Sequence, residues 1–394
     1  MTDSKARWLA LAAFVLSTTI NYLDRSTLAT LAPAVRDEFH LSHAQYGWIV
    51  NAFLVTYTLG APFAGILIDR LGLDRAAGLA VGVWSLAGIA TGLTTGLAGL
   101  VGCRALLGIA EAAGIPAAGK AIHRFLDPAE RGLGNAVNQA AVSLGLVLAP
   151  PIAIWIAGRS GWRAAFLITG VLGLLWIPLW HWTSRRIPGR SAQERKVSAT
   201  PSAILRDRRV WVFVLANALS MIPYFLWTNW TTLYLTDAWH MTLDRAKWYA
   251  AIPPVLAAIG GFAGGALSLR LTRRGIPPAA SRFRVCTGAS VLSLATAAIP
   301  AAPGVAWACA GISISFLAVA AFSVNMYSLP LDTFGGGNAA FAISMLTASA
   351  GAAGLIAPAL GRLIDLHGYA PVTAIAAVTP LAGSTLLWVT RATR

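Results

Sequence analysis

Apolar residues run along this chain in a series of long stretches separated by short polar breaks, and about 20 such residues cross a bilayer as a helix. On that pattern membrane spans are predicted near residues 8–33, 45–68, 76–95, 97–123, 132–157 and 163–183. After a polar gap six more are predicted near 209–235, 246–271, 282–301, 303–330, 337–363 and 369–390. Many of them carry internal Gly and Pro, which membrane helices tolerate better than soluble ones. The expected fold class is an all-α membrane protein of 12 transmembrane helices in two six-helix pseudo-repeats. The domains are an N-terminal bundle (1–183), a basic cytoplasmic linker (184–208) and a C-terminal bundle (209–394).

Composition strengthens the membrane reading. Of 394 residues, 57% are hydrophobic and only 11% charged, against about 25% charged in a soluble domain. The shortage is spread along the whole chain, which one buried core does not explain. Met1 to Arg7 followed by an apolar run imitates a signal peptide, but the run continues through Asn21-Tyr22-Leu23-Asp24-Arg25 to Pro33 without a convincing cleavage site. It reads as a retained first helix.

The net charge of +15 matters less than where the charges lie, because basic loops stay on the cytoplasmic side. The gap from Ser184 to Arg209 holds eight basic residues, and Arg70, Arg75, Arg124, Arg131, Arg270, Arg273 and Arg274 follow spans two, four and eight. Even-numbered span ends, and both termini, are therefore expected in the cytoplasm of a cell with this protein in its inner membrane. Arg36, Arg159 and Arg163 form a minority on the other side. No basic run is interleaved with exposed aromatics in a polar domain, so nucleic acid is not expected as a partner.

The two halves echo each other. Gly65-Ile66-Leu67-Ile68-Asp69-Arg70 recurs loosely as Gly265-Ala266-Leu267-Ser268-Leu269-Arg270. Gly145-Leu146-Val147-Leu148-Ala149-Pro150 resembles Gly354-Leu355-Ile356-Ala357-Pro358. Together they point to two parallel repeats with a substrate site between them at mid-membrane.

Ionisable residues inside the predicted spans are few. Asp24 and Arg25 lie in the first, Arg104 and Glu111 in the fourth. Each costs roughly 2.5–3.5 kcal/mol at the centre of a membrane helix on insertion scales, so they must face a watery cavity or one another. Arg104 and Glu111 are seven residues apart, which puts them on one helix face about 10 Å apart. A salt-bridge cluster that only locks helices together is one reading. The other divides the labour: arginine offers a permanent planar fork to a carboxylate, while a carboxylate in a poorly solvated cavity takes up and releases a proton. That combination is what proton-coupled uptake of an anion needs.

With these residues in hand, the chain resembles the major facilitator superfamily, specifically its anion:cation symporter branch. Gly65-Ile-Leu-Ile-Asp-Arg-Leu-Gly72 is similar to the superfamily's loop motif after span two, and Arg104-Ala-Leu-Leu-Gly108 to its fourth-helix motif. Asn21-Tyr-Leu-Asp-Arg25, the run Arg104 to Ala112 followed by Pro116-Ala-Ala118, and Phe322 to Phe334 with Asn325 and Asp332 resemble the hexuronate-transporter group. Departures are Phe322 where the pattern usually has Trp, Thr232 in place of a proline, and Leu269 where the second loop copy would have Asp.

The resemblance implies that Arg25 holds a substrate carboxylate with Tyr57 and Gln139 hydrogen-bonding nearby. It further implies that Asp24 and Glu111 are proton-coupling acids, with Arg104 tuning Glu111. Trp227, Trp230 and Asn325 are expected in the substrate site, although the two Trp could face lipid and Asn325 could have a purely internal partner. Asp69, with Arg70 and Arg131, is expected to gate the cytoplasmic side through the helix dipole near Gly335-Gly-Gly-Asn338. The implied function is proton-coupled symport of a small sugar acid such as hexuronate by a monomer. A monocarboxylate or dicarboxylate symporter is the alternative, and a drug or cation antiporter, disfavoured by Arg25, comes third. The partners are then the anion, protons and lipid.

Catalysis has no candidate residues: there is no Ser/His/Asp constellation, no HExxH or CxxC motif and no phosphate-cradling loop. No cofactor or metal is expected, and Cys103, Cys286 and Cys309 read as small buried hydrophobes.

Overall fold

A computed structural model describes residues 3–126, 131–187 and 205–392. Among the described residues the structure is all α, with no strand. The chain divides into two compact units. The first comprises Met1–Leu41, Gln45–Glu194 and Thr242–Ala251; the second comprises Ser42–Ala44, Arg195–Met241 and Ile252–Arg394.

The first six helices are α1 (Asp3–Phe39), α2 (His43–Leu71), α3 (Leu73–Gly92), α4 (Leu97–Glu111), α5 (Gly114–Phe125) and α6 (Arg131–Arg186). At a rise of 1.5 Å per residue, the 56 residues of α6 would run about 84 Å, far beyond the roughly 30 Å hydrocarbon core. Gly161 resolves this by leaving the helical region (φ 79°, ψ 161°), a conformation that side chains with a Cβ rarely adopt. What is nominally one helix is thus two, meeting at that residue.

The core of the first unit is aromatic. Trp176 and Trp180 of α6 stack at 5.6 Å and 6°, and Phe14 of α1 meets both edge-on at 6.0 and 5.1 Å. The Trp176 indole donates to the Ala13 carbonyl at 2.6 Å, so its one polar atom is satisfied. Two polar clasps lie toward the ends of these helices. Arg124 donates to Asp74 at 2.8 Å. The Glu38 carboxylate accepts from Arg163 and from the Trp162 indole, and these bonds hold its pKa below the usual carboxylate range.

The second unit holds α7 (Arg208–Asp237), α8 (Leu243–Arg273, of which the first turns belong to the first unit), α9 (Pro278–Ser293) with a 3₁₀ continuation, α10 (Val305–Ala352), α11 (Ala357–His367) and α12 (Tyr369–Ala392). Small polar side chains tie these helices together. Asn217 of α7 donates to the Leu346 carbonyl at 2.9 Å, Ser290 of α9 to the Pro380 carbonyl at 2.9 Å, and Trp388 of α12 to Thr287 at 2.8 Å. In a medium with no water to compete, each bond removes the cost of an unpaired polar group.

Nine helical stretches among the described residues are long and apolar enough to cross a membrane. Large apolar side chains are left on the outside, with Phe262 80% and Trp307 69% exposed. Such exposure is unfavourable in water and neutral against lipid.

Candidate functional site

The site is built from the close approach of α1, α2 and α4 inside the first unit. A Cβ on Gly108 would collide with the Phe53 carbonyl and the Thr56 hydroxyl oxygen and lie 3.0 Å from the Tyr57 nitrogen. Only glycine therefore lets α4 seat directly against α2 at the level of Tyr57. One turn further on, α4 stops at Glu111. Pro116 has no N–H to give the Ala112 carbonyl, and the chain restarts as α5 at Gly114. Glu111 is consequently the last residue of a helix, delivered beside α1.

There it meets Arg25. The guanidinium donates to Glu111 Oε2 from Nε at 2.9 Å, and its Nη2 pairs with the same oxygen at 2.7 Å. Three rings surround the same cation, with its central carbon 4.9 Å from Tyr22, 4.7 Å from Phe53 and 5.0 Å from Tyr57. Phe53 and Tyr57 stack on each other at 5.7 Å. Glu111 is buried, and its second oxygen, Oε1, has no partner among the described residues.

The pair opens on a cavity of about 190 Å³. Arg25, Tyr57, Glu111 and Gln139 all line it. Four of the sequence-predicted residues are thus brought to one cavity. Asn21, Thr18, Trp84 and Asn138 line it too; the sequence offers Asn21 only as part of the Asn21-Tyr-Leu-Asp-Arg25 motif and gives the other three no role. A signal was available: Thr18, Asn21, Tyr22 and Arg25 fall at the i, i+3, i+4, i+7 spacing of one helix face.

Asp24 and Arg104 are buried but do not line the cavity. Asp24 accepts from the Thr169 hydroxyl at 2.8 Å and lies against Gly88, where a Cβ would sit 3.2 Å from both carboxylate oxygens. The Arg104 guanidinium lies 5.8 Å over the Phe166 ring. The direct cation partner of Glu111 is Arg25.

Trp227, Trp230 and Asn325 belong to the second unit, and all three are wholly buried. Trp227 packs edge-on to Tyr234 at 5.5 Å and Trp230 meets Phe225 at 6.0 Å. Asn325 gives both amide hydrogens to backbone, the Gly264 carbonyl at 3.1 Å and the Ala321 carbonyl at 2.9 Å. Of the gating residues, Arg70 is exposed, while the side chains of Asp69 and Arg131 lie outside the described residues, as do those of Asp332, Phe334 and Gly335–Asn338. Most of the 184–208 linker falls outside them as well. Among the described residues no group of three His, Cys, Asp or Glu could hold a metal ion.

An all-α protein with long apolar helices, and a partly exposed cation paired with a buried acid at a cavity, has the features of a multi-pass transporter. The sequence profile of the Major Facilitator Superfamily matches residues 14–358, and the chain belongs to that family. It is 30% identical to the hexuronate transporter of Escherichia coli K12, over 97% of this chain and 93% of that one. It is also 30% identical to the galacturonate transporter of Dickeya chrysanthemi, over 66% of this chain and 80% of that one. A solved bacterial homologue of the human lysosomal transporter Spinster, inward-facing and unoccupied, shares the fold with a TM-score of 0.76 at 20% identity, covering 98% of this chain and 96% of that one. The relatives are transporters, and this protein is a transporter and not an enzyme.

Proposed function

We propose that this protein carries a small sugar acid, of the hexuronate class, into the cell together with protons by alternating access. The observation that carries the reading is the Arg25–Glu111 pair at the cavity wall, its acid buried and its cation partly exposed. Arginine is the side chain best shaped for a carboxylate, and here it is already engaged by one. Protonating Glu111 removes the charge that holds Arg25, which becomes available to the substrate carboxylate. Proton and anion then enter as a neutral set, which spares the membrane interior a net charge. Tyr57 and Gln139 line the same cavity and supply hydrogen bonds. Asp24, away from the cavity, is the second titrating acid.

The same reading takes the chain as twelve spans in two six-helix bundles. The support is the nine apolar stretches, the second crossing inside α6, and α1 and α2. Both termini are placed in the cytoplasm by the basic residues, in an inner membrane, and the working unit is a monomer. The relatives named for hexuronate and galacturonate favour a sugar acid over other anions.

The test is uptake of labelled D-galacturonate into proteoliposomes under an imposed inward proton gradient. Accumulation that follows the gradient in the wild type and is lost in Glu111→Gln supports the reading. Uptake indifferent to the gradient in both overturns the coupling.

A further inference from the structure

Beyond the carboxylate-binding pair, the cavity has a second polar wall. We infer that Asn21 of α1 and Asn138 of α6 form a hydroxyl-binding subsite that selects a polyhydroxylated acid over a short, hydroxyl-free one. The inference rests on the sugar-acid reading above and extends it to which part of the ligand each residue holds.

Asn21 lies four residues before Arg25, one helical turn or about 6 Å along the same face. Both line the cavity. Asn21 is only 6% exposed, yet its Nδ2 has no partner among the described residues. A buried amide donor left unpaired costs about 1–3 kcal/mol, so a side chain held in that state beside a cavity points to something that enters it. Asn138 is oriented from the other side, its Oδ1 accepting from the Thr18 hydroxyl at 2.9 Å. With the oxygen engaged, the amide's NH₂ end is what remains to face the cavity. The wall therefore offers N–H donors, one turn from a guanidinium. The ligand that complements it has a carboxylate at one end and oxygen-bearing carbons behind it. A hexuronate in extended contact has that form.

The chemistry sets a direction for selectivity. A site built to hydrogen-bond hydroxyls rejects an analogue lacking them, because its own buried donors are then left unpaired. Glu111 Oε1, buried at the same cavity and without a partner among the described residues, is the complementary acceptor for one ligand hydroxyl.

The experiment is equilibrium binding of D-galacturonate and of propionate to the purified full-length protein. It uses wild type, Asn21→Ala, Asn21→Asp and Asn138→Ala, with thermal unfolding recorded for each. The expected result is that Asn21→Ala and Asn138→Ala each lower the galacturonate-to-propionate affinity ratio by about tenfold, the effect of one lost hydrogen bond. Asn21→Asp keeps the volume but replaces a donor by a negative charge, and weakens binding of both anions. An unchanged ratio in the folded variants overturns the subsite while leaving the sugar-acid reading intact. A wild type that binds galacturonate no better than propionate is a different outcome: it removes the sugar-acid reading, and the subsite with it.

Discussion

Arg25 donates one hydrogen bond from Nε to a single oxygen of Glu111 and brings its Nη2 within 2.7 Å of the same oxygen, and the acid's other oxygen keeps no partner among the described residues. The pair is therefore held, but by half of the carboxylate's capacity. A substrate carboxylate would compete for the same guanidinium. If Arg25 binds it through a planar fork, lysine is a poor replacement, because an ammonium is a point charge. Arg25→Ala is expected to abolish binding of D-galacturonate, and Arg25→Lys to weaken it by about tenfold or more, given the strength of charge-assisted bidentate bonds. Equilibrium binding measures both, and wild-type affinity in Arg25→Ala would remove Arg25 from the anion site.

Glu111→Gln mimics the protonated acid without its ability to release the proton. Exchange between labelled substrate outside and unlabelled substrate inside needs no net proton movement, so it is expected to persist. Accumulation driven by a proton gradient is expected to disappear. Comparing preloaded with empty proteoliposomes separates the two, and gradient-driven accumulation at the wild-type level in Glu111→Gln would show that another group carries the proton.

Gly108 allows α4 to reach α2, and that contact sets Tyr57 beside Arg25. Gly108→Ala is expected to cost about 1–3 kcal/mol, the usual range for overpacking a well-filled interior. It should also weaken galacturonate binding, by displacing Tyr57. A thermal unfolding curve together with a binding isotherm checks this. An unchanged melting temperature would mean that the two helices separate without cost.

Much of this was legible in the sequence, and the gaps have physical causes. Apolar run lengths place helix ends well where the polar break is sharp: residues 76–95 were expected and α3 spans Leu73–Gly92, and 209–235 corresponds to Arg208–Asp237. They fail where helix continues beyond the apolar run, as in α1, which extends to Phe39. They do not report a break inside an apolar run: the expected 97–123 span corresponds to the apolar stretch Leu97–Phe125, but its helix is interrupted between Glu111 and Gly114, and Pro116 is the local reason. At the site, Arg25 and Glu111 were identifiable because charges inside apolar runs are costly. Their pairing was not, since sequence spacing reports neighbours on one helix and this bond joins two. For the same reason spacing linked Arg104 to Glu111 on one face, but could not show that Arg25, on another helix, is bonded to that acid.

Glu38 gives a pH dependence of known sign. Its folded pKa is depressed by hydrogen bonds from Arg163 and Trp162. The stabilisation is therefore full above the unfolded value near 4.3 and is lost as pH falls through the lower folded value. The pair is substantially solvent-exposed, so the effect is about 0.2–1 kcal/mol. Glu38→Gln should melt slightly below wild type at pH 7, and the two curves should converge as pH falls through the lowered folded value. A gap that widens on acidification would reverse the sign and remove the clasp.

Asn325 separates a substrate ligand from a structural bolt. Its amide bonds the Gly264 carbonyl of α8 and the Ala321 carbonyl of its own helix, and it is wholly buried. Both donors are occupied, so a ligand would have to displace a backbone bond to use them. Asn325→Ala removes the tie between α8 and α10, and interhelical bonds in membrane proteins are worth about 0.6–1.7 kcal/mol. The expected outcome is a lower melting temperature with galacturonate affinity changed less than about threefold, which is under 1 kcal/mol. If Asn325→Ala instead melts like wild type and loses galacturonate binding, the side chain belongs to the substrate and its backbone bonds are incidental.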